Sequence, residues 1–132
     1  MVEKLKKVLS KLGEQHKEVW LFALLKMDEF VDKWSIIISA PWSTEENRDI
    51  EFQEIIVLLN NELSEEELYS IARIVFLKKD DHLIQELMKR SSGTELKSEP
   101  INGNAVHEGY IIESNPNLVW QTDSLFSSEV KS

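Results

Sequence analysis

The segment EVWLFALLKMDEFVDKWSIIISAPW, residues 18–42, constrains the fold of this chain more than any other stretch. Two apolar runs, Val19–Met27 and Trp34–Ala40, flank a short acidic stretch and stop at Pro41. Three consecutive isoleucines at 36–38 predict a strand, because β-branched side chains are stiff at χ1 and pack well on a pleated surface. Apolar residues at successive positions leave neither face of that strand for water, so it is expected in the middle of a sheet covered on both sides. Val19–Met27 contains helix formers, but it opens with Val19, Trp20 and Phe22 and reads as a strand antiparallel to the next. Pro41 has no amide to donate and ends the second strand.

The flanking sequence supplies cover for these two strands. Leu5, Val8, Leu9 and Leu12 recur at helical spacing with lysines opposite, which predicts an amphipathic helix over 2–12 stopped by Gly13. Ser43 with Glu46 has the spacing of a capping box, opening a helix to about Asn60 with Ile50, Phe52, Ile55, Ile56 and Leu59 on one side. Ser64 with Glu67 repeats the signal for a short helix through about Ser70. Ile74–Leu77 reads as a third strand, parallel to the second because a long helical crossover joins them. Asp80 or Asp81 caps a last helix with Leu83, Ile84, Leu87 and Met88 as its buried stripe. The sequence predicts a core domain over 1–90 and a polar loop or linker over 91–105. Val106–Glu113 is then a fourth strand, and Leu118–Trp120 a short hairpin arm within 106–120 that completes the sheet or pairs with a partner. Residues 121–132 read as a loosely held tail. The expected class is α+β: one mixed sheet of four to five strands with helices packed on it, in the order α-β-β-α-α-β-α-β-(β).

Charge and composition narrow the chemistry. The formal net charge of −9 argues against phosphate-backbone binding, which needs clustered cations. The charge is uneven: five lysines against Glu3 and Glu14 give +3 over residues 1–17, leaving −12 for the rest. That basic segment reads first as a solvated helix face and second as a patch for an acidic partner or a nucleic-acid backbone. With no cysteine there are no disulfides, thiolate metal sites or cysteine nucleophiles. No apolar run approaches the roughly 18–20 residues that span a bilayer, and the first residues lack the apolar core of an export signal. A cytoplasmic location without membrane contact is the expectation.

Candidate sites are few. Asp28, Glu29 and Asp32 lie in or near the turn between the first two strands, where carboxylates could ligate a divalent cation or serve as acid and base. Aspartates are also common in turns because they satisfy the local backbone. Asp80, Asp81 and His82 are close enough to be considered as metal ligands, but they coincide with a helix start where aspartates act as caps. His16, His82 and His107 show no ligand spacing, and no nucleophile elbow, Walker loop or dinucleotide glycine pattern is present. No cofactor is expected. Trp20 and Trp34 read as core anchors, whereas Trp42, Tyr110 and Trp120 are the candidate contact residues, since large aromatics at a surface are enriched at binding hot spots.

In the order of its elements over about residues 17–90, the chain resembles the minimal nucleotidyltransferase domain: a helix, the strand VWLFALL, an acidic turn, then DKWSIIIS leading into a helix. In that family a Gly-Ser pair follows the first strand, and two aspartates one residue apart bind the metal ions. Here Asp32 matches the first aspartate and Trp34 stands at the second, while Ala23-Leu24 or Leu25-Lys26 occupies the Gly-Ser positions. An indole cannot hold Mg²⁺, so the resemblance implies a degenerate relative without metal-dependent nucleotide transfer. The expected function is a non-catalytic protein-interaction domain that binds another protein or itself as a homodimer, through a sheet edge or an aromatic patch. The alternative is a divalent-metal-dependent hydrolase or transferase using Asp28 and Asp32, with Asp80 or Asp81 as a further ligand.

Overall fold

A computed structural model of the chain describes residues 1–15, 18–27, 33–42, 46, 48–101 and 103–115. The elements are α1 (Val2–Glu14), β1 (Leu21–Met27), β2 (Trp34–Ser39), α2 (Arg48–Glu62), α3 (Glu65–Tyr69), β3 (Ile71–Phe76), α4 (His82–Met88), β4 (Glu95–Ile101) and β5 (Asn104–Ser114). The fold is α+β, with one mixed five-stranded sheet in the order β3-β2-β1-β5-β4, and the element order is the expected one. β1 occupies the centre, antiparallel to β2 on one side and to β5 on the other. β3 lies parallel to β2, joined to it through α2 and α3.

The two apolar runs make this centre because their alternate residues feed two separate cores. On one face, Phe22, Leu24, Ile36, Ile38 and Ile112 pack with Leu5, Val8 and Leu12 of α1 and with Ile55 and Leu59 of α2. On the other, Leu21, Ala23, Leu25, Ile37 and Ile111 pack with Leu83, Ile84 and Leu87 of α4. Side chains two apart share a face of a strand, so a run that is apolar at every position demands cover above and below. Burying one such aliphatic side chain contributes about 1.5–3 kcal/mol, so β1 and β2 dominate the stability of the sheet.

Several expectations shift in detail. Gly13 does not stop α1: the helix continues to Glu14, and the cap residue Gln15 has φ −90°, outside the left-handed region. Ile50 does not share the buried side of α2 but is 63% exposed. At 3.6 residues per turn it stands roughly 140° around the helix from Ile55. The linker expected over 91–105 contains β4, and β5 starts at Asn104, so the fourth and fifth strands both precede the positions assigned to them. The polar composition of 95–101 concealed an edge strand, where Pro100 is tolerated because one side of the ladder is unpaired. Leu96 and Ile101, five residues apart, would face opposite ways in a regular strand. With Ser98 between them in the left-handed conformation (φ 42°), both are buried in the same core. The expected arm Leu118–Trp120 and the tail fall outside the described residues, as does Ser43 of the first capping box. The second capping box is present: the Glu67 amide donates to Ser64 Oγ and the Ser64 amide donates to the Glu67 carboxylate.

At Gly109, β5 approaches β1 so closely that a Cβ would stand 2.8 Å from Leu25 Cδ2 and 3.2 Å from the Leu24 carbonyl oxygen. Leu25 is fully buried and has little room to retreat. Gly109→Ala is expected to lower the unfolding free energy by about 1–3 kcal/mol, and Gly109→Val by more. Urea denaturation followed by circular dichroism measures both, and an unchanged midpoint for Gly109→Ala would contradict the close approach.

Candidate interaction surface

β3 closes one side of the sheet and β4 the other, and the two edges differ in construction. β4, ELKSEPI, carries Glu95, Lys97 and Glu99, a proline, and the left-handed Ser98. Charges, proline and an interrupted backbone path are the devices that keep an edge strand from pairing with another chain. β3, IARIVF, has no proline and a single charge. Among the described residues its only strand neighbour is β2. Arg73, that one charge, is turned back across the sheet: Nε donates to Ser35 Oγ at 3.2 Å, and Nη2 lies 3.8 Å from Met27 Sδ.

Beside this edge runs an apolar groove of about 200 Å³, walled by Phe52, Ile56 and Leu59 of α2, Leu68 of α3 and residues 71–74 of β3. α2 creates it because its apolar residues exceed what one core stripe can bury. Ile55 and Leu59 fill the core, Phe52 and Ile56 are half-buried on the groove, and Val57 is 55% exposed. At the end of α3, Tyr69 is 79% exposed. Lys33 covers its ring at 3.6 Å from the centroid and donates to the Tyr69 carbonyl at 2.6 Å, which ties the start of β2 to the end of α3.

Two of the contact residues read from the sequence, Trp42 and Tyr110, lie outside the groove, although Trp42 touches the end of β3. Trp42 is half-buried; its indole N–H donates to the Glu18 carbonyl at 2.8 Å and its ring meets Phe76 edge-on at 6.3 Å. Tyr110 is half-buried beside Trp34, with centroids 6.2 Å apart, and its hydroxyl is 3.4 Å from a Glu95 carboxylate oxygen. Burial, with help from Glu95 and Glu108, raises the Tyr110 pKa. Neither residue lines the groove. Trp120 lies outside the described residues. Trp20 is buried, as expected for a core anchor, though its Nε1 and the neighbouring Ser39 Oγ have no hydrogen-bond partner among the described residues. Trp34 is only half-buried and carries Lys26 over its ring at 4.6 Å.

Among the described residues, the candidate metal ligands Asp80, Asp81 and His82 do not form a cluster. Asp81 caps α4, accepting from the Leu83 amide at 2.9 Å, and Asp80 and His82 are exposed. Among the described residues no three His, Asp or Glu side chains are grouped to hold an ion. Asp28 and Asp32 lie outside the described residues. No helix among the described residues is long and apolar enough to cross a membrane. Comparisons with protein-family models, with curated proteins and with solved structures gave no match.

Two of the four lysines of α1, Lys4 and Lys11, reach acids on neighbouring elements. Lys4 donates to Glu67 at 2.6 Å, Lys11 donates to Glu62, and Lys6 lies 3.2 Å from Glu3. Lys11 thereby meets the acidic end of α2, and Lys4 meets α3. The Lys4 hydrogen bond, then the Ser64 amide, hold the Glu67 carboxyl down at about 2, below its ordinary 4.5. Lys11 lowers Glu62 in the same direction.

Groove residues such as Phe52, Ile56, Leu68 and Ile71 were legible as apolar but not as a surface. The available signal was the excess of apolar positions in 50–59 over the width of one buried stripe.

Two predictions follow from these contacts. A folded pKa below the unfolded value means that the Lys4–Glu67 contact stabilises fully above about pH 4.5 and is lost as the pH falls toward 2. Urea midpoints at pH 6, 4 and 3 should therefore fall less steeply for Glu67→Gln than for the parent chain, and parallel slopes would refute the pairing. Trp42→Phe, which removes the indole N–H and part of the ring, is expected to cost about 1 kcal/mol, and Trp42→Ala about 2 kcal/mol. An unchanged midpoint for Trp42→Phe in chemical denaturation would show that the bond to Glu18 contributes nothing.

Proposed function

We propose that this chain is a non-catalytic protein-interaction domain that engages its partner along the open edge of β3 and the groove beside it. The observation that carries the reading is the contrast between the edges: β4 is guarded by charges, a proline and an irregular backbone, whereas β3 is apolar and backed by a cleft. An unpaired edge offers a row of amide donors and carbonyl acceptors to an added strand, and a pocket alongside it selects that strand's side chains. The groove volume exceeds the engineered cavity of about 150 Å³ that accepts a benzene ring, so it can hold one or two aliphatic side chains.

Titrating the ¹⁵N-labelled protein with a ten-residue peptide of alternating Val and Thr tests this by NMR. The first resonances to shift should be the amides of Ile71–Phe76 and of the middle of α2, with those of β4 unchanged. Ile56→Asp should weaken the peptide by about tenfold while leaving the circular dichroism spectrum intact, since it sets an unpaired charge in the groove. Shifts confined to β4, or no shift at millimolar peptide, would remove the proposal.

A further inference from the structure

We infer that the first occupant of the β3 edge is the chain's own C-terminal segment 122–127, running antiparallel to β3 with Leu125 or Phe126 in the groove, so that another strand pairs there only by displacing it. This inference rests on the reading of β3 as the contact edge and adds what regulates access to it.

The support is where Asn115 is held and how far the chain beyond it can reach. Ser114 lies opposite Leu21, Leu21 opposite Ser39, and Ile38 opposite Phe76, so β5 and β3 finish at the same end of the sheet. Asn115 is fixed at that end: its amide donates to the Trp20 carbonyl and its Nδ2 to the Val19 carbonyl, both at 2.8 Å. From there the contacts lead toward β3, because the adjoining Glu18 carbonyl accepts from Trp42 and the Trp42 ring meets Phe76. Pro116 has no amide with which to prolong β5 against its neighbours. A strand added outside β3 stands four strand spacings from β5, roughly 19 Å. Extended chain covers that distance in about six residues, 116–121. Leu118–Trp120 is therefore too near Asn115 to lie along the edge. The residues that follow arrive at the Phe76 end of β3 and run toward Ile71. Leu125 and Phe126 then come opposite residues 72 and 73, in the part of β3 that walls the groove. Neighbouring side chains of a strand point to opposite faces, so a slip of one residue only exchanges which of the two enters the groove. A groove of about 200 Å³ has room for either. The other members of the segment, Thr122, Asp123, Ser124 and Ser127, are polar, so it has one apolar pair to place.

Amide hydrogen exchange of the ¹⁵N-labelled full chain tests the inference. The alternate amides of β3 that point away from β2 are protected only when a strand lies on the open side. They should exchange about tenfold more slowly in the parent chain than in Leu125→Ser with Phe126→Ser, and Val130→Ser, beyond the segment, should match the parent. The peptide of alternating Val and Thr should bind the double variant about tenfold more tightly than the parent, the effect of a segment that covers the edge roughly nine-tenths of the time. Circular dichroism spectra should coincide throughout. In the parent itself, without any substitution, a nuclear Overhauser contact should join Ile56 to Leu125 or Phe126, and its absence would overturn the inference. Equally fast exchange and equal peptide affinity in parent and double variant would overturn it too, while leaving the β3 edge to other partners. An equal effect of Val130→Ser would overturn the assignment to 122–127. Protection that grows with protein concentration, together with a dimer in light scattering, would make the occupant the tail of a second copy and overturn the intramolecular contact. Exchange that neither the tail nor millimolar peptide slows would remove the contact edge as well.

Discussion

The antiparallel pairing of Leu21–Met27 with Trp34–Ser39 is the constraint from which the rest of the structure follows. Nearly every residue of both strands is buried, and their alternate side chains enter opposite layers. A two-stranded ribbon of this kind cannot stand in water. It needs strands on both sides to take up its backbone groups and helices on both faces to take up its side chains. β5 and β3 meet the first requirement, α1 with α2 and then α4 meet the second, and each is drawn from sequence whose apolar pattern fits that task.

The cover layer on the α1 side is organised by charge as well as by apolar contact. α1 brings lysines and the α2–α3 segment brings glutamates, and Lys4–Glu67 and Lys11–Glu62 join them across the layer. Exposed pairs of this kind contribute little energy individually, yet opposite charges at fixed positions set how one helix lies on another. The Ser64 capping box holds Glu67 in place for its lysine, so a local backbone signal and a long-range ion pair share one carboxylate.

The functional reading comes from what this arrangement leaves over. A sheet that is not closed has two edges, and among the described residues only β4 carries the features that discourage pairing. α2 has more apolar residues than its buried stripe can accommodate, and the surplus forms a groove along the unguarded edge. An open backbone ladder and an apolar cleft side by side are the features on which the proposed contact with an extended chain rests.

Local chemistry decided much of this molecule. The isoleucine run required a central strand, the Ser64–Glu67 spacing required a helix start, and Asp81 required a cap, because each depends on contacts within a few residues. The order of elements and the antiparallel and parallel pairings around β2 were legible for the same reason, since strand and helix periods can be read along the chain. β4 was not legible: ELKSEPI is polar at most positions, and it becomes a strand only because β5 lies beside it and Ser98 turns Leu96 and Ile101 into one core. The groove was hidden for a related reason. Phe52, Ile56, Leu68 and Ile71 are apolar in sequence whether buried or not, and the outcome depended on how far α2 and α3 stand from the edge of β3. Which residues are apolar is a property of the chain, but which of them remain uncovered is set by the distances between elements far apart along it, and those exist only once the sheet has formed.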